Sequence, residues 1–368
     1  MRRAIAAATD WAAVVEGAIR HRVAPLVLHS LQECAPANVP ADVIDTLRER
    51  TAAAAGRSLV QVGETVRLVR AFGRAGVRVL VLKGEVLSTQ IYANQCLRMA
   101  RDIDLLADPD RFVEAEATLA GAGYRRLGKE TSPGQRAVYQ SMIKEVEYFH
   151  PELRTVVELH HRLTDNPSLL PTDFDQLWSE REEVRIGDFA VPTLPRPHLA
   201  LYLCAHGANH AWQRLRWLAD FAAELRHSQN IDATLAAASR SGLEAATLHA
   251  LSLTHDWLGL PVAERHLAAA RASPQVRRLD RILARIYGGD AWHRTLPNGV
   301  GAPGLWPRLY ALMLKANTRY WANQAKRAWF APADWEVVRL PDSMLWLYHV
   351  VRPVGWLLRR TGVARRLD

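Results

Sequence analysis

Cysteine is scarce in this chain, and the little there is does not cluster. Cys34, Cys96 and Cys204 are the only three in 368 residues. They are odd in number, lie far apart and form no CxxC pair. That argues for a reducing compartment and against a cysteine-based zinc site. Long apolar runs are also missing. No stretch reaches about 18 uninterrupted apolar residues, so no spanning helix is expected. The start, MRRAIAAATDWAAVVEG, has two arginines but too brief an apolar run for the core of a signal peptide. A cytoplasmic location is the expectation. There is no internal repeat, no low-complexity tract, and no helix-turn-helix or RNP-like signature.

What is present is an ordinary globular balance: 49% hydrophobic and 23% charged residues. That is enough apolar surface to exclude extensive disorder. The formal charge is +9. Such a chain tolerates polyanions, whether nucleotides, nucleic acid or an anionic membrane face, and its plainest meaning is solubility.

Residues 1 to about 75 read as helices, with Leu59, Val62, Val66, Val69 and Phe72 on one face. From Val77 the period changes. VRVLVL reads as a strand, GEVLSTQIYA as a helix and DIDLLA as a second strand. Asp108 and Pro109 then cap a helix from Arg111 to about Ala120. IKEVEYFH (143–150) and LRTVVELHHRL (153–163) read as a hairpin turning at Pro151-Glu152. EVRIGDFAVPTL suggests one further hairpin. A long helical pattern runs from His198 to Ser228, and further helices follow to about 287. The expected fold class is α+β: a small mixed sheet from strands near 77–83, 102–107, 143–150 and 153–160, flanked by helices at both ends. The expected divisions are 1–76, 77–195, 196–290 and 291–368.

Two acids one residue apart open an otherwise apolar strand. Asp102 and Asp104 leave the same face, about 7 Å apart along it, while Ile103 and Leu105 point into the core. Like charges side by side repel, and burial worsens this. A divalent cation relieves it, and Mg²⁺ favours a few carboxylates plus phosphates and water. In Val156-Val157-Glu158-Leu159-His160, alternation sets Glu158 and His160 on one face. A glutamate in that apolar setting needs a partner; a metal, the role of general base, or an ordinary salt bridge would each supply one. Lys83-Gly84 ends the first strand. The glycine permits close backbone approach, the helix start offers N–H groups, and the lysine adds charge for a phosphate.

LKG (82–84), Tyr92, RDIDLL (101–106), VELHHRL (157–163) and HGANHAWQRLRWLADFAAEL (206–225) occur in an order that resembles the uncharacterised nucleotidyltransferase family of the DNA polymerase β-like superfamily. The resemblance implies a Mg²⁺-dependent (or Mn²⁺-dependent) transfer of an NMP group from an NTP to an acceptor, with release of pyrophosphate. It implies Asp102, Asp104 and Glu158 as catalytic metal ligands. It implies a nucleotide site drawn from Lys83, Gly84, Arg101, His160, His206, Arg214 and Arg216. Where much of the superfamily has Gly-Ser or Gly-Gly, this chain has Lys-Gly-Glu. Glu85 would bring negative charge towards a triphosphate if it pointed inward. A small molecule, a peptide or RNA is the expected acceptor. A kinase-like phosphotransferase and a non-catalytic nucleotide-binding or membrane-surface accessory protein are the alternatives.

Two further patterns stand apart. His206 and His210 share one helical face at a spacing that can hold zinc, but no third ligand is identifiable, so packing or substrate contact is favoured. Arg216 and Asp220, also four apart, suggest a pair. Seven of twelve tryptophans follow residue 290, and MLWLYHVVRPVGWLLRR (344–360) ends in arginines. That composition suits peripheral contact with an anionic membrane; terminal packing over the core is the favoured alternative.

Overall fold

The computed structural model describes residues 10–34, 39–98, 100–128, 131–288 and 304–330, with 332, 335, 340–348 and 350 beyond them. Helices α1 (Trp11–Arg20), α2 (Ala24–Cys34) and α3 (Ala41–Arg74) come first. The central section runs β1 (Val79–Val81), α4 (Gly84–Tyr92), β2 (Asp102–Ala107), α5 (Phe112–Gly121), β3 (Arg125–Arg126), α6 (Pro133–Met142), β4 (Glu145–His150), β5 (Thr155–His160), α7 (Phe174–Ser179), β6 (Glu182–Ile186) and β7 (Phe189–Thr193). Helices α8 (Arg196–Asn209), α9 (Leu215–Ser228), α10 (Ile231–Ser241), α11 (Glu244–Leu258), α12 (Glu264–Ala272), α13 (Pro274–Tyr287), α14 (Leu305–Leu312) and α15 (Thr318–Trp329) follow. The membrane-contact stretch expected at 344–360 falls mostly outside the described residues. No helix among the described residues is long and apolar enough to cross a membrane.

The sheet is mixed, as expected, and has seven strands in the order β3-β4-β5-β2-β1-β7-β6. β2 lies parallel to β5 and antiparallel to β1, and β1 lies parallel to β7. Period-two alternation sorts the side chains. Val79, Val81, Ile103, Leu105, Val157 and Leu159 pack on one face against α3 and α5. Leu80, Leu82 and Leu106 join the larger helical core on the other face.

Two sequence expectations need correction. Leu59 is not on the buried face of α3, being 65% exposed. This 34-residue helix packs at both ends: Val43 and Leu47 meet α1 and α2, while Leu68, Val69 and Phe72 meet the sheet. Leu59 lies between the two surfaces. The helical pattern from His198 also breaks into α8 and α9. Ala211 and Trp212 take left-handed φ values of 48° and 54°, and the Trp212 indole folds back over Gly207. A Cβ at Gly207 would stand 2.1 Å from that ring. Trp212 is fully buried, and its Nε1–H donates to the Tyr310 hydroxyl at 3.1 Å. His206 therefore lies on a different helix from Arg216.

Contacts at two places, His21 and Asp220, fix α9 beside the sheet. The N–H groups of Leu215 and Arg216 donate to His21 Nδ1 (3.3 Å) and the His21 carbonyl (3.4 Å), which docks the N-terminal helices. Arg98 Nε meets Asp220 Oδ2 at 3.0 Å, and both side chains are almost wholly buried. The Tyr92 hydroxyl donates to Asp220 Oδ1 at 3.1 Å. α4, the chain entering β2, and α9 are thereby tied together.

Burial above all, then Arg20 and Arg214, pushes the His21 pKa down to about 4. The folded state needs the neutral ring, whereas the unfolded chain takes up a proton near the ordinary value of about 6.5. The stabilisation is therefore complete above about 6.5 and is lost as pH falls towards about 4. The thermal-stability advantage of wild type over His21→Asn should shrink across that window; a constant advantage would contradict the assignment. Arg98→Met, which leaves Asp220 buried without its cation, should cost about 3–5 kcal/mol in chemical denaturation. A loss below about 1 kcal/mol would show that the pair does not hold these elements together.

Candidate active site and metal centre

The register of three strands collects carboxylates on one face. Asp104 stands opposite Glu158 across β2 and β5. Across β5 and β4, Glu158 stands opposite Glu147, and His160 opposite Glu145. Alternation puts Asp102 on the same face, while Ile103, Leu105, Val146, Val157 and Leu159 are buried on the other. Five acids from three strands thus share one surface. Lys144, Glu145 and Glu147 were not picked out from the sequence. The alternation in IKEVEYFH carries the signal, but only the register shows that these acids face Glu158.

Cations from the protein partly neutralise that surface. Lys83 Nζ lies 2.7 Å from Asp104 Oδ1, and both groups are buried. Burial alone would raise Asp104 and lower Lys83. Their mutual attraction overrides it, with help from His160, so the carboxyl sits well below its ordinary range and the ammonium well above. Lys144 Nζ bonds Glu145. His160 Nε2 is 3.3 Å from Asp104 Oδ1, 3.2 Å from Glu145 Oε2 and 3.5 Å from Glu158 Oε2. Burial, then the Asp104 charge, pushes Glu158 up to about 8.

Gly84 turns the chain from β1 into α4 with φ +78°, a conformation that side chains resist. Lys83 just before it is engaged with Asp104 and is not a free charge beside the helix start. Glu85 is buried near Ser58 and Arg98, and burial raises it to about 7.

One ligand atom each from Asp104, Glu158 and His160 lies within 4.8 Å of the others, which suits a single cation. Two carboxylates with an imidazole form a donor set that divalent ions accept, and oxygen ligands favour Mg²⁺ or Mn²⁺. Asp102 is half-buried at the start of β2, about 7 Å along the strand from Asp104 and outside that trio. His206 and His210 belong to no metal-ligand cluster among the described residues. Their rings pack on Trp217, at 5.4 Å and 4.8 Å between centroids. Burial, then nearby lysines, keeps both rings neutral, with His210 down to about 4. Arg101 is exposed, Arg214 half-buried and Arg216 buried. Arg214 and Arg216 both feel the charge of Asp102. The acidic face can hold a cation, and the arginines beside Asp102 can hold an anion.

No curated protein and no solved structure matches the chain. A family model described as "Uncharacterised nucleotidyltransferase" matches residues 7–259, from α1 through α11. On the extent of that match, the chain belongs to the uncharacterised nucleotidyltransferase family.

Proposed function

We propose that this nucleotidyltransferase moves an NMP group from an NTP to an acceptor hydroxyl or phosphate, using Mg²⁺ or Mn²⁺. The observation that carries the reading is the convergence of Asp104, Glu158 and His160 on one sheet face, with Asp102 next along β2. The acceptor oxygen attacks the α-phosphorus, the bond to the β-phosphate breaks, and pyrophosphate leaves. When bound, the cation neutralises charge on the phosphates and acidifies the acceptor oxygen.

Asp104, Glu158 and His160 would hold that cation, with Asp102, next along β2, as the further carboxylate that the family resemblance implies. Without a cation, burial and Asp104 hold the Glu158 carboxyl up near 8; a bound cation would favour its ionised form, which would then take the acceptor proton. Lys83 keeps Asp104 ionised before any metal arrives. Arg101, Arg214 and Arg216 would bind the polyphosphate, because a guanidinium fork matches phosphate oxygens. The chemistry depends on positioning and charge neutralisation and needs no covalent enzyme intermediate. A small molecule, a peptide or RNA would serve as acceptor.

The test incubates the full chain with each α-labelled NTP, Mg²⁺ and an acceptor panel, followed by mass spectrometry for added NMP. Pyrophosphate release and label in the product are expected; transfer of γ-label alone would make the protein a kinase. Asp104→Asn should fall to below about 1% of wild-type turnover while staying folded. Chelation should abolish turnover, and Mg²⁺ or Mn²⁺ should restore it. A folded, fully active Asp104→Asn would overturn the site.

A further inference from the structure

The turn between α1 and α2 reaches the arginine side of the site, and one of its residues has no role in the reading so far. His21 accepts the N–H groups of Leu215 and Arg216, so the next residue, Arg22, sits at the start of α9. Arg22 is half-buried, and its φ of 56° turns the backbone sharply there. Its backbone N–H donates to the Ile19 carbonyl at 3.1 Å, but among the described residues its guanidinium forms no hydrogen bond or ion pair. Its charged neighbours are chiefly other arginines: Arg216, Arg214 and Arg101, with Asp102 as the opposing charge. Four guanidiniums from three separate chain segments therefore crowd the edge of the acidic face.

Proteins do not gather half-buried like charges without cost. Burial above all, and then the three neighbouring arginines, lowers Arg22 to about 9. It still carries its charge at neutral pH. Asp102, with Asp220 beside Arg216 but already paired with Arg98, does not balance four cations, whereas a polyphosphate brings three or four negative charges in a row. Guanidinium pairs with phosphate oxygens through two parallel hydrogen bonds.

We propose that Arg22 is a phosphate-binding residue, completing with Arg101, Arg214 and Arg216 a clamp for the β- and γ-phosphates of an NTP. The choice of ligand rests on the nucleotidyltransferase reading; the clamp itself rests on the arginines. The N-terminal helices thereby contribute directly to substrate binding and do more than prop the sheet. The clamp binds polyphosphate without metal, since its charges lie beside the acidic face and not on it.

The test is titration of the full chain with inorganic tripolyphosphate in the presence of chelator. Binding should be measurable and should raise the melting temperature. Arg22→Gln should weaken it about tenfold or more, with the unliganded melting temperature unchanged. Arg22→Lys, which keeps the charge but loses the fork, should fall between. In turnover assays Arg22→Gln should raise KM for NTP more than it lowers kcat. Wild-type affinity in a folded Arg22→Gln, or no tripolyphosphate binding by wild type, would overturn the clamp. Should Arg22→Gln misfold, Arg22→Lys decides: unchanged affinity there also overturns it. Turnover with an unaltered KM in the variant rejects the clamp and leaves the enzyme reading standing. Arg22-dependent tripolyphosphate binding without any pyrophosphate release does the reverse.

Discussion

The buried pair between Lys83 and Asp104 is the contact on which the acidic face depends. Acids on adjacent strands repel, and in a low-dielectric setting they would otherwise take up protons. Glu158 shows that tendency, being raised to about 8. Asp104 escapes it because an ammonium lies 2.7 Å away. Lys83 can reach that point only because the chain leaves β1, passes through the left-handed Gly84 and starts α4 at once. The lysine that the sequence offers as a phosphate ligand here pairs with a carboxylate. A divalent ion at Asp104 can take the other carboxylate oxygen and leave Lys83 on Oδ1.

Much of this was legible in the chain. Asp-x-Asp among apolar residues gave both the strand and the direction of its acids, because a period of two leaves little choice. Parity also placed Glu158 and His160 on one side. What parity cannot give is register, so Glu145 and Glu147 were invisible as neighbours of Glu158 until β4 was aligned. The break between α8 and α9 was hidden for another reason. Helical periodicity continues across it, and the cause is a tertiary fit between Trp212 and Gly207. Leu59 misled because the pattern marks an apolar face but not how far its partner extends. Asp220 reads as the partner of Arg216 four residues before it, and its charge acts there; its close contact with Arg98, 122 residues away, could not be read from the spacing.

The helical regions do more than enclose the sheet. α8 and α9 bring the neutral histidines and the arginines over the edge of β2, and the turn at His21 locks α9 from the far side. From the C-terminal side, Tyr310 bonds both Trp212 and His249, and Lys315 Nζ donates to the Ser168 carbonyl at 2.7 Å. These contacts steady the α8–α9 corner through its buried indole. The family match takes in α1 to α11, so the N-terminal helices and the corner lie within the shared unit.

The parallel pairing of β2 with β5 has a kinetic consequence. Its central acids are 54 positions apart, and a second hairpin partner comes from in between. Closing such a loop costs entropy before any contact repays it. A chain still emerging from the ribosome therefore owns none of the cation-binding geometry until residues near 160 have been released. The candidate cation site thus depends on a non-local pairing, and a chain shorter than about 160 residues lacks it.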